Sequence, residues 1–159
     1  MATWDAESDL LSLEAQDLES PLTRGFDVDA KLVFDCTASG GVRVVECLVP
    51  VSRMLVDAET LRSWSFRLRG HMEPAEPSHV RGRYRLRFPD RVFTRESHDD
   101  VDVDIRRDRG RIWIGLTGDG IPTVGSLAAL SSNVWAYVVD GTLSGLLVEL
   151  TSAPTEPTR

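Results

Sequence analysis

Between Val80 and Phe88 the chain alternates strictly, with Arg81, Arg83, Arg85 and Arg87 set between Val80, Gly82, Tyr84, Leu86 and Phe88. A period of two predicts a half-buried strand whose outer face carries four guanidiniums in a row, about 20 Å long. Pro89 and Asp90 end it. The same alternation predicts a strand over Ser63–Arg69, with Trp64, Phe66 and Leu68 inward and Arg67 and Arg69 outward. Gly70 to His79, with Pro74 and Pro77, reads as the loop between them, and Arg91–Arg95 as a short further strand.

Three hairpins follow from the same rule. Ser39, Gly40 and Gly41 mark a turn between Lys31 and Val49, and a Gly40–Gly41 loop sets Leu32 against Val49, Phe34 against Cys47 and Cys36 against Val45. That register also sets Asp35 against Glu46, an unfavourable like-charge pair. A loop over Arg107–Gly110 sets Val101 against Leu116, Val103 against Ile114 and Ile105 against Ile112, leaving Asp102, Asp104, Arg106, Arg111 and Trp113 on the other face. Asp140–Gly141 is a type I′ signal joining Val134–Val139 to Thr142–Leu150. Both faces of this last hairpin are apolar, which makes it central in a sheet, covered by a helix, or an interface between subunits.

Helical signals are few. Trp4, Leu11, Ala15 and Leu18, after a Thr3 cap and with Asp5 and Glu7 in the first turn, predict a helix over residues 3–18. Asp57 is placed to cap a short helix through Leu61, and a second short piece is expected near Ser126–Ser131. The expected fold is therefore mainly β: an antiparallel β-sandwich or small barrel of about seven or eight strands, with an N-terminal helix and one short helix. An acidic helix or arm over residues 1–27 precedes one β-rich domain over 28–150, and 151–159 form a tail.

The 159 residues suffice for one core without staples. Cys36 and Cys47 fit neither a disulfide framework nor a zinc site and are expected as buried thiols. A secretory leader and a long uncharged apolar run are both missing, so a cytoplasmic location without membrane contact is expected. The net charge of −7 is unevenly spread. Residues 1–30 carry −7, whereas 62–111 carry +4 and hold 13 of the 18 basic residues.

Candidate chemistry is sparse. His98, Asp99, Asp100, Asp102 and Asp104 offer metal-ligating groups, but the glycine of a calcium loop is missing and Val101 and Val103 favour extended chain. Gly120, Gly125 and Ser126 echo a phosphate loop without its lysine. His71, His79 and His98 fall in loops beside acids, with nothing to fix their geometry. No nucleophile elbow or cofactor motif accompanies them.

These observations predict a non-enzymatic interaction or adaptor domain. Its partner-binding residues are Arg67, Arg69, Arg81, Arg83, Arg85 and Arg87, with the 134–150 hairpin as a second apolar surface and route to a homo-oligomer. The arginines' counter-charges are expected from Asp102 and Asp104 as a cross-strand ladder, from an acidic protein, or from the chain's own N-terminal segment. Nucleic acid is disfavoured, because Tyr84 and Phe88 point away from the arginines and the isoelectric point is near 4.9. The alternative is a small β-barrel binding or transforming a small ligand within a cavity lined by Trp64, Trp113 or Tyr137.

Overall fold

The computed structural model describes residues 1–14, 24–37, 41–59, 61, 97–98, 102–116, 124–140 and 142–150. In chain order the strands are β1 (Ala2–Asp5), β2 (Leu10–Glu14), β3 (Arg24–Val28), β4 (Leu32–Cys36), β5 (Val42–Cys47) and β6 (Leu55–Val56). They continue as β7 (Ser97–His98), β8 (Asp104–Arg107), β9 (Arg111–Gly115), β10 (Ser126–Ala129), β11 (Val134–Val139) and β12 (Thr142–Glu149). One sheet runs β1-β2-β5-β4-β3-β7 and the other β10-β11-β12-β9-β8-β6. All pairs are antiparallel except β3 with β7 and β6 with β8. The chain is mainly β, in two sheets, and among the described residues neither closes into a barrel.

The sheets share one apolar core. Leu11, Leu32, Phe34 and Cys47 of the first sheet lie in the same cluster as Ile112, Ile114, Leu146 and Val148 of the second, all essentially inaccessible to solvent. Each comes from an alternating stretch, so one parity of β2, β4, β9 and β12, with Val45 and Cys47 of β5, builds this core.

The expected N-terminal helix is instead the hairpin of β1 and β2, with Ala2 opposite Leu13 and Trp4 opposite Leu11. Burying Leu11 and Leu13 together requires period two, and the turn is made by acids rather than glycine. Asp5 accepts hydrogen bonds from the Glu7 amide and the Ser8 hydroxyl, and Asp9 takes a left-handed φ of 59°. The helix expected near Ser126 is likewise a strand, β10, laid along β11 with Ala128 opposite Ala136. Of the short helix expected from Asp57 through Leu61, the described residues retain the hydrogen bond from the Leu61 amide to the Asp57 carbonyl at 3.2 Å.

Two hairpins form in the expected places but slip by two residues. Leu32 faces Cys47 and Phe34 faces Val45, with a bulge between Asp35 and Cys36. The slip keeps the apolar face intact and sets Asp35 against Val44 and Glu46 against Val33, which removes the like-charge pair. Ile105 faces Ile114 rather than Ile112, because the turn tightens to Arg109–Gly110, with the Asp108 amide bonded to the Arg111 carbonyl at 2.9 Å. The third hairpin turns at Asp140, φ 49°, and lies in the middle of its sheet.

Side-chain clips join the layers. The buried Asn133, before β11, accepts the Ala2 amide at 3.1 Å and donates to the carbonyls of Ala2 at 3.0 Å and Glu149 at 3.3 Å. In the β3–β4 turn, Asp29 accepts the Val103 amide at 3.0 Å while Lys31 donates to the Val103 carbonyl at 2.8 Å. Lys31 also pairs with Asp29 at 2.5 Å.

Replacing Asn133 by Ala strands the two buried backbone groups of Ala2 and a half-buried carbonyl of Glu149, and urea unfolding is expected to show a loss of roughly 1–3 kcal/mol. Ala30 stands at φ 48°, a region that only glycine enters freely. Ala30→Gly is therefore expected to raise stability by about 1 kcal/mol, read as a higher urea midpoint with an unchanged slope.

Candidate interaction surfaces

The six arginines expected to bind a partner, at 67, 69, 81, 83, 85 and 87, lie outside the described residues, as do the strands predicted over 63–69, 80–88 and 91–95. Their expected counter-charges can be followed. Asp104 accepts the Arg106 Nε at 2.7 Å, and Arg106 Nη1 reaches Asp57 at 2.8 Å. Asp57 first, then Asp104, hold the Arg106 guanidinium in its charged form. Asp104 is thus engaged by its own strand. Asp102 is 78% exposed, with Lys31 3.7 Å away.

Other charged groups of this region also point inward. Asp108 is 7% exposed, yet it accepts the amides of Gly110 and Arg111 and the Nε and Nη2 of Arg111, at 2.7–3.0 Å. A buried carboxylate with four donors is a structural staple for a two-residue turn. At the other turn Asp9 accepts from the Trp4 indole at 3.1 Å and from the Ser52 amide at 3.0 Å, tying β1–β2 to the 3-10 turn at Val51–Arg53. The first fourteen residues are therefore strands of the sheet, which corrects the expected acidic helix or arm.

The outer face of the second sheet carries an apolar cluster. Trp113 on β9 and Tyr137 on β11 meet edge to face, with centroids 5.8 Å apart and planes at 80°, and Leu61 and Leu147 complete the buried set. Leu127, Trp135 and Val139 pack around it, half-buried. Trp113 was expected on a polar face, but it is fully buried. Gly115 and Gly145, opposite one another on β9 and β12, make room for it. A Cβ on Gly115 would stand 2.8 Å from the indole nitrogen, and one on Gly145 would lie inside the ring's contact surface. The pairing of these glycines, thirty residues apart, is the signal that strand-by-strand reading misses. Trp113 and Tyr137 fill this space against each other, and Trp64 lies outside the described residues.

Few of the remaining candidates fall among the described residues. His98 lies on β7 beside β3, whereas His71, His79, Asp99 and Asp100 lie outside the described residues. Ser126 opens a strand rather than a helix, so no helix N-terminus follows Gly125 to hold a phosphate. Gly125 has a packing reason, since a Cβ there would stand 2.7 Å from the Tyr137 ring. Cys36 and Cys47 are buried and unpaired as disulfides, and desolvation pushes both thiols up to about 11. No helix among the described residues is long and apolar enough to cross a membrane.

Neither models of known protein families nor curated protein sequences match the chain.

Gly145→Ala is expected to cost roughly 1–3 kcal/mol by overpacking against Trp113, with a changed near-ultraviolet circular dichroism band reporting the displaced indole. The thiols set an alkaline limit. Unfolded cysteine releases its proton near 9.0 while the folded thiols hold theirs to about 11, so the native state binds more protons across that interval. Stability should therefore fall as pH rises from 9 toward 11, and Cys36→Ala or Cys47→Ala should flatten that slope in urea titrations.

Proposed function

We infer that this chain is a non-enzymatic protein-interaction domain, a two-sheet antiparallel scaffold that presents the arginine-rich stretch 67–87 to an acidic protein partner. The observation that carries the reading is the engagement of Asp104 by Arg106, whose guanidinium it shares with Asp57. A structural ladder would draw on Asp102 and Asp104, the two carboxylates with matching spacing, and one of these is already committed. The N-terminal acids Asp5 and Asp9 are likewise occupied within their own hairpin and the adjoining turn. With Asp104, Asp5 and Asp9 so engaged, an acid supplied in trans is the counter-charge we favour for the basic middle of the chain. The buried, high-pKa thiols favour interaction over catalysis. Such an adaptor would act in the cytoplasm.

The test uses the full chain and fluorescein-labelled poly-L-glutamate, with single-stranded RNA and duplex DNA of similar length as competitors. Binding to polyglutamate, read as anisotropy, is expected to weaken at least roughly tenfold in Arg83→Glu/Arg85→Glu/Arg87→Glu while far-ultraviolet circular dichroism stays unchanged. Unchanged binding in that variant, or stronger binding to either nucleic acid than to polyglutamate, overturns the reading.

A further inference from the structure

We propose that two copies of this chain associate edge to edge through β10, extending the second sheet across a two-fold axis. This goes beyond the arginine-mediated reading and does not depend on it. The 134–150 hairpin, expected from sequence as the route to an oligomer, has one face on the shared core and the other under the Trp113 cluster. Its neighbour β10 is the end strand, and among the described residues nothing lies beyond it in the sheet.

The end strands differ in how they are guarded. β6 and β7 have two residues each. β1 ends in Asp5 and gives both backbone groups of Ala2 to Asn133. Residues 124–130, Val-Gly-Ser-Leu-Ala-Ala-Leu, contain neither a charge nor a proline, and Val124 is 76% exposed beside the strand. Solvent-facing edges normally carry charge, proline or a bulge to prevent further pairing. β10 carries none of these, and its register against β11 runs unbroken from Ser126 to Ala129.

Hydrogen-bond phase identifies the groups that would pair. The Leu130 amide bonds to the Val134 carbonyl at 2.9 Å. By the alternation of an antiparallel ladder, Ala128 and Ser126 then also turn their backbone groups toward β11, and Leu127 and Ala129 turn theirs outward. A two-fold axis at Ala128 pairs Leu127 of one copy with Ala129 of the other, twice, for four backbone hydrogen bonds. The larger side chain meets the smaller on the outer face, and Ala128 meets its own counterpart on the core face.

Each copy carries −7, yet this contact line brings no like charges together. The half-buried Leu127 and Trp135 would gain apolar neighbours across the axis. A second copy fits better than a flexible peptide because its strand is already ordered, so association loses no chain entropy in forming it. The interface is isologous and closes after two copies.

Sedimentation equilibrium of the full chain tests this. The wild type should show a monomer–dimer equilibrium. Ala129→Pro removes one outward amide without touching a β10–β11 bond, and Ala129→Lys adds an edge charge. Both should weaken the dimer at least roughly tenfold while thermal unfolding and far-ultraviolet spectra stay those of the parent fold. If the proline variant misfolds, the lysine variant decides. Raising salt from about 0.05 to 0.5 M should tighten the dimer by screening mutual repulsion, whereas an arginine-mediated contact would loosen. A wild-type monomer at all accessible concentrations, a dimer that persists in the lysine variant, or one that dissociates with salt overturns the proposal. None of these results bears on polyglutamate binding by the arginine stretch.

Discussion

The buried amide of Asn133 joins the end strand of one sheet to the centre of the other. Ala2 is the outermost position of the first sheet, and Glu149 closes the last strand of the second. One side chain satisfies backbone groups from both, in a place where water is excluded and an unmatched group would be costly. Hydrophobic contact between sheets has no preferred register, because aliphatic side chains slide past one another with little penalty. A directional triple hydrogen bond does not permit that sliding. The Asp29–Lys31 grip on Val103 does the same for the β3–β4 turn. Between these clips the aliphatic core has only one way to interdigitate.

Several charged side chains among the described residues serve as internal mortar. Asp108 and Arg111 brace one turn, Asp9 ties two loops, and Arg106 bridges two carboxylates. These groups are partly shielded from solvent, where pairing survives salt better than at an open surface.

Strand parity was legible in the sequence and strand slip was not. Leu32, Phe34 and Cys36 face inward as alternation requires, but alternation is blind to a shift of two residues, which leaves every side chain on its own face. The shift follows from removing the Asp35–Glu46 opposition in one hairpin and from a tighter turn at Arg109–Gly110 in the other. The first hairpin was hidden because its turn uses Asp9 in a left-handed conformation, with no glycine to announce it. Trp4 and Leu11, seven residues apart, fit a helix equally well as long as that reversal is overlooked. Trp113 escaped for a different reason. Its burial depends on Gly145 across the sheet as well as on Gly115 beside it, and nothing local to Arg111–Gly115 signals that the two glycines lie opposite one another. Of the candidate site, the arginine stretch itself lies outside the described residues, and only its expected counter-charges Asp102 and Asp104 are placed.

The two parallel pairs have a consequence for how this chain could diversify. β6, paired with β8, ends the second sheet just before the segment 62–96, and β7, paired with β3, takes up the first sheet just after it. Each of these two-residue strands stands at the end of its sheet and interrupts no antiparallel ladder, so the residues that form them could vary while the register of the inner strands stayed fixed.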